Sequence, residues 1–139
     1  MSNFNWDSFF CVIFAYSYKH DKIVKKERMM MVKRCSWVDE KSEIYKNYHD
    51  HEWGVPVYDD EKLYEMFLLE TFQAGLSWIT ILKKREAFRV AFDNFDVIKI
   101  ANYDDKKVME LLANEQIIRR NRKIGAAINN AKIFINIQT

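Results

Sequence analysis

From Cys35 onward the chain reads as helices joined by short turns, with apolar side chains returning at intervals of three or four positions, and no stretch sustains an apolar/polar alternation between turn signals. That spacing lines one side of a helix, whereas a strand turns successive side chains to opposite faces. The chain is therefore expected to be all-α. Residues 40–48 read as a short helix and 50–56 as a loop punctuated by Gly54 and Pro56. Asp59 or Asp60 is placed to cap a helix over 62–74, and Gly75 suits the left-handed position that follows a helix end. Ser77 is the expected cap of a helix over 78–92, and a turn at 94–96 leads to a short helical piece. Asp104 or Asp105 caps a helix reaching residue 113, 114–116 form a tight connection, and the last helix runs over 118–135. Ile117, Ile118, Ile124, Ala127, Ile128 and Ala131 give that last segment one buried stripe, leaving Arg119, Arg120, Arg122 and Lys123 outside or at its start.

At 139 residues the chain has the length of one hydrophobic core. Its net charge of +2 neither demands nor excludes a nucleic-acid partner, so the placement of charge matters more than its sum. Four Trp are many for this length; Trp37, Trp53 and Trp78 are either core or stacking surfaces for a flat ligand. Two widely spaced cysteines, Cys11 and Cys35, point to a reducing compartment and not to a disulfide scaffold. The most apolar run, 9–16, is too short to span a bilayer and lacks the basic flank of a signal peptide, so no membrane partner is expected. Composition changes near residue 32: residues 1–31 read as a leader or extension, and 32–139 as the domain proper. Met29, Met30 and Met31 offer alternative start sites.

Within 62–74, Glu70 continues the spacing of Leu63, Met66, Phe67 and Ala74, so its carboxylate is expected to point inward. A buried carboxylate either pairs, as a structural bond to a neighbouring helix would allow, or has a perturbed pKa of the kind found at functional sites. The Gly75 turn that follows brings Trp78 to the start of the next helix. A carboxylate beside an aromatic wall suits a flat cation. Cys35 and His49 could both ligate a metal, but a structural zinc needs four ligands; His51 is nearby, and His20 and Cys11 lie in the leader.

Four segments carry a family resemblance: 34–38 (RCSWV), 48–56 (YHDHEWGVP), 69–78 (LETFQAGLSW) and 117–124 (IIRRNRKI). In order and spacing they closely resemble the DNA-3-methyladenine glycosylase I family, over residues 32 to about 137. The resemblance implies an all-α helix-hairpin-helix glycosylase domain, monomeric and cytoplasmic. It implies hydrolysis of the N-glycosidic bond of 3-methyladenine in alkylated double-stranded DNA, a step of base excision repair. It assigns Glu70 to recognition of the excised base, Trp78 to one wall of the base pocket, and Trp37, Tyr48 and Trp53 to its remaining aromatic lining. Arg119, Arg120, Arg122 and Lys123 become the expected phosphate contacts.

An N3-alkylated adenine is cationic and leaves its sugar readily, so the demand on the protein is to extract the nucleotide and grip the base. Water is the nucleophile, with Asp50 and Glu52 as candidates to activate it. Cys35 and His49 match the first two ligands of the family's structural zinc; the other two, a His and a Cys, have no counterpart after His51. The fold is thus expected to be incomplete at the C-terminus, the zinc site incomplete, and Ile124, Ile128, Ile133 and Phe134 left uncovered. Gln116 stands where the family's hairpin has a glycine, which would strain a left-handed turn and put its amide contact to phosphate in doubt. The alternative reading is a truncated, catalytically weak or inactive DNA-binding helical remnant.

Overall fold

The computed structural model describes residues 33–138, all of whose regular elements are helical. The expectations for Cys11, His20, the 9–16 run and the Met29–Met31 start sites lie outside the described residues. The chain divides into two compact units, one ending at Pro56 and the other beginning at Val57.

In the first unit, α1 (Glu43–His51) starts three residues later than expected, because Ser42 and not an earlier residue supplies the cap: its Oγ accepts the Tyr45 amide at 3.3 Å. The helix also takes in Asp50 and His51, at the start of the segment expected to be a loop. It ends where the amides of Glu52 and Trp53 both donate to the Tyr48 carbonyl at 2.9 Å. Glycine at position 54, with φ 74°, then turns the chain.

In the second unit, the Asp59 carboxylate caps α2 (Asp60–Gln73) by accepting the Lys62 amide at 2.8 Å, and acidic Asp60 and Glu61 complement the helix dipole. Gly75, φ 80°, turns the chain into α3 (Trp78–Ala91). Ser77 occupies the cap position of α3, but its hydroxyl bonds the Thr80 hydroxyl at 2.7 Å instead of a backbone amide.

After α3 the residues Asp93, Asn94 and Phe95 all adopt left-handed backbone, φ 51°, 59° and 62°, in a single 3-10 turn. No glycine marks that turn in the sequence. It is held by the Tyr103 hydroxyl donating to Asp93 and by burial of Phe95 beneath the Arg89 guanidinium, 5.3 Å from the ring. Asp96 then caps α4 (Val97–Ala101) through two amides, and Asp104 caps α5 (Asp105–Ala113). The last helix, α6 (Asn121–Gln138), begins three residues later than its apolar spacing suggested.

Helix α6 lies mainly against α4 and also packs on α2 and α5. Phe72, Phe88 and Phe92 meet at centroid distances of 4.8–5.8 Å in the core, and Tyr64 stacks obliquely on Phe134 at 5.1 Å. The expected exposure along α6 is corrected here. Ile124 is fully buried, and Ile128 and Phe134 are partly buried against the core; only Ile133 of the four is exposed.

Candidate base-recognition site

The first unit brings three of the expected site residues into one ring cluster and adds a fourth ring. Trp37 meets Tyr45, His49 and Trp53 at centroid distances of 5.1, 5.3 and 5.5 Å, and His49 stacks on Trp53 at 5.3 Å with the rings 17° apart. Tyr45 was missed in the sequence, although it lies four residues before His49 and so on the same face of α1. Trp37 remains 39% exposed, so the cluster presents aromatic surface to solvent. Tyr48 is half-buried on the same helix.

Beneath these rings runs a polar chain. The Cys35 amide donates to Nε2 of His49 at 3.3 Å, which leaves Nδ1 to donate to Asp50 at 2.9 Å. Arg34 donates to Asp50 from Nε at 2.9 Å and from Nη2 at 2.6 Å, and its Nη1 reaches Glu40 at 2.9 Å. The Arg34 hydrogen bond, then that of His49, holds the Asp50 carboxyl down at about 2. The Asp50 carboxylate is thus committed to Arg34 and His49. The Cys35 backbone and the His49 ring are in contact, and no group of three or more potential metal donors occurs among the described residues. Two donors alone do not close a zinc site.

In the second unit the structure corrects the inward face of α2. The buried side chains are Tyr64, Glu65, Leu68, Leu69 and Phe72, whereas Leu63 and Phe67 are 41% and 45% exposed and Glu70 is exposed with them. The buried carboxylate is therefore Glu65, only 4% exposed, which receives Arg85 Nε and Arg89 Nη2 at 2.7 Å and Lys62 Nζ at 3.1 Å. Burial pushes its pKa up, but the bonds and charges of Arg85 and Lys62 prevail and hold it below its ordinary value. Arg85 and Arg89, one helical turn apart on the next helix, were the signal that could have found it.

Glu70 differs in kind. Among the described residues it makes no hydrogen bond or ion pair, and the surrounding protein raises its pKa by desolvation. Trp78, at the start of α3, is half-buried and packs against the core.

The basic segment is divided. Arg119 and Arg120 lie in the connection ahead of α6, and Arg119 pairs with Glu115 at 3.0 Å. Arg122 is exposed in the first turn. Lys123, by contrast, turns inward, and its ammonium donates to the carbonyls of Phe72 at 2.6 Å and Ala74 at 2.8 Å. The expected strain at Gln116 is not found: left-handed backbone among described non-glycine residues is confined to Asp93, Asn94 and Phe95. The Gln116 amide donates to the Asn114 side chain at 2.9 Å, which occupies the group expected to meet a phosphate.

A family model described as methyladenine glycosylase matches residues 37–139. The DNA-3-methyladenine glycosylase 1 of Escherichia coli K12 is 47% identical over 107 residues, 77% of this chain and 57% of that protein. The DNA-3-methyladenine glycosylase of Haemophilus influenzae is 47% identical over 108 residues, 78% of this chain and 58% of that protein. A crystal structure of a 3-methyladenine DNA glycosylase I superposes with a TM-score of 0.73 at 50% identity, covering 76% of this chain and 58% of that one. The corresponding enzyme of Staphylococcus aureus, solved to show how it recognises 3-methyladenine, gives a TM-score of 0.68 at 40% identity over 70% of this chain and 52% of that one. The chain spans somewhat more than half the length of the relatives it matches. With the all-helical fold and the site residues above, these matches place the chain in the methyladenine glycosylase family.

Proposed function

We propose that the protein recognises 3-methyladenine in alkylated double-stranded DNA and hydrolyses its N-glycosidic bond, acting as a cytoplasmic monomer. The observation that carries this reading is the uncommitted carboxylate of Glu70. A carboxylate that pairs with no cation among the described residues, in surroundings that raise its pKa, is poised to take a cationic partner from outside. An adenine methylated at N3 is such a partner, and neutral adenine is not. In the second unit Trp78 offers an indole wall; in the first, Trp37, Tyr48 and Trp53 offer aromatic faces on which a flat base can stack. Arg119, Arg120 and Arg122 suit phosphate contacts, which position the duplex without reading its sequence. Among the described residues no helix is long and apolar enough to cross a membrane.

Calorimetric titration with free 3-methyladenine tests the assignment. Glu70→Ala is expected to abolish tight binding and Glu70→Gln to weaken it less, because a hydrogen-bonding group remains. Equal affinities in all three proteins remove Glu70 from the site. Duplex binding without release of methylated base would identify a DNA-binding module and not an enzyme. Cys35 and His49 are proposed as two donors of a structural zinc, supported by the contact of the Cys35 backbone amide with Nε2 of His49, a bond that a metal ion would replace. Cobalt substitution, read by its absorption spectrum with and without Cys35→Ser, tests that pairing.

A further inference from the structure

Lys123 and Lys84 stand on opposite sides of one packing contact and perform the same act. Lys123, in the first turn of α6, donates to the Phe72 and Ala74 carbonyls at 2.6 and 2.8 Å. These carbonyls close α2, whose last turn contains no basic residue of its own. The ammonium therefore supplies from α6 the positive charge that the C-terminal end of a helix dipole favours. Lys84, on α3, reaches the other way: its Nζ donates to the Gln116 carbonyl at 2.7 Å, with Glu115 further off at 3.5 Å, in the connection leading to α6. The segment between these anchors on one side is the Gly75 turn, which sets Trp78 at the head of α3 relative to Glu70 on α2. On the other side is the segment that carries Arg119 and Arg120.

We propose that Lys123 and Lys84 are a reciprocal pair of positioning residues, which lock the Glu70–Trp78 turn to the basic connection so that seating on the duplex and grip on the base act in register. The proposal rests on the functional reading above, and it removes Lys123 from the phosphate contacts. A lysine that met phosphate would need its ammonium turned to solvent, whereas this one is held by two carbonyls. Its burial, and then the charge of Arg120, lower its pKa, which fits an ammonium removed from bulk water.

The test compares the full chain with Lys123→Met, Lys123→Arg and Lys84→Met in three measurements: affinity for free 3-methyladenine, salt dependence of duplex binding, and the fluorine resonance of 5-fluorotryptophan at Trp78, assigned through Trp78→Phe. Lys123→Met is expected to weaken base binding by about tenfold, shift the Trp78 resonance, and leave the salt slope unchanged. Lys84→Met is expected to act in the same direction. Lys123→Arg decides the matter if the methionine variant does not fold. It keeps the charge that a phosphate needs, but its planar fork does not reproduce a compact ammonium between two carbonyls, so base affinity falls. A salt slope lower by about one unit with base affinity intact marks a phosphate contact and overturns the proposal. Lower thermal stability with base affinity and the Trp78 resonance intact marks a merely structural tie and overturns it too. If the unmodified chain binds no 3-methyladenine, the functional reading fails by itself; the Trp78 resonance then still decides whether the lysines hold the turn.

Discussion

Replacing Glu65 with Gln preserves its shape and removes its charge. In the folded protein that leaves Arg85 and Arg89 converging on a neutral amide that is 4% exposed in the native residue. Breaking a buried ion pair on one side costs about 3–5 kcal/mol, because the remaining charge stays buried and unpaired. Here the guanidinium side chains keep 13% and 33% of their exposure, so water compensates in part and the cost falls to about 2–3 kcal/mol. For a unit of this size that is a fall in Tm of about 10 °C or more.

Circular dichroism melts at neutral pH measure it, with Glu86→Gln as control. Glu86 is exposed and meets Arg89 only at 3.4 Å, so its loss changes stability by less than about 0.5 kcal/mol. The sign with pH follows from the depressed pKa of Glu65. Its contribution is complete above the ordinary carboxylate value of 4.5 and is lost as pH falls through the lower folded value. The melts of wild type and Glu65→Gln should therefore converge under acid conditions. A Glu65→Gln melt within about 2 °C of wild type at neutral pH would show that the three cations do not depend on this carboxylate.

Three further outcomes are expected. Because desolvation raises the Glu70 pKa above 4.5, base binding by the wild type should decline on acidification above that value, as the carboxylate takes a proton; Glu70→Gln should lack this step, and its Tm should not fall. Arg120→Gln and Arg122→Gln should each lower the salt slope of duplex binding by about one unit without altering sequence preference, read by fluorescence anisotropy over a salt series. Asn94→Ala should cost about 1 kcal/mol in chemical denaturation, because Asn tolerates φ 59° better than Ala; no change would mean that the turn relaxes.

Helix identity was legible wherever a short polar side chain preceded an apolar period: Asp59 and Asp104 cap as expected, and Gly75 turns as expected. The features that escaped depend on partners remote in sequence. Nothing local in Asp93, Asn94 and Phe95 announces three left-handed residues; the turn exists because Tyr103 and Arg89 hold its side chains. Ile117 and Ile118 share the spacing of α6 but pack from the connection ahead of it, so periodicity overran the true start at Asn121. The inward course of Lys123 was hidden by its company: among Arg119, Arg120 and Arg122 it reads as one more surface charge, and only the end of α2 shows where it goes.

The two carboxylates of α2 show why a helical stripe alone could not separate structure from chemistry. Glu65 and Glu70 are five residues apart, about 140° around the helix. Each falls on an apolar stripe: Glu65 with Tyr64, Leu68, Leu69 and Phe72, and Glu70 with Leu63, Met66, Phe67 and Ala74. The choice of core stripe is made by α3, which brings Arg85 and Arg89 from twenty and twenty-four residues away onto one of them. Once those cations are spent on Glu65, none of them is left to neutralise Glu70.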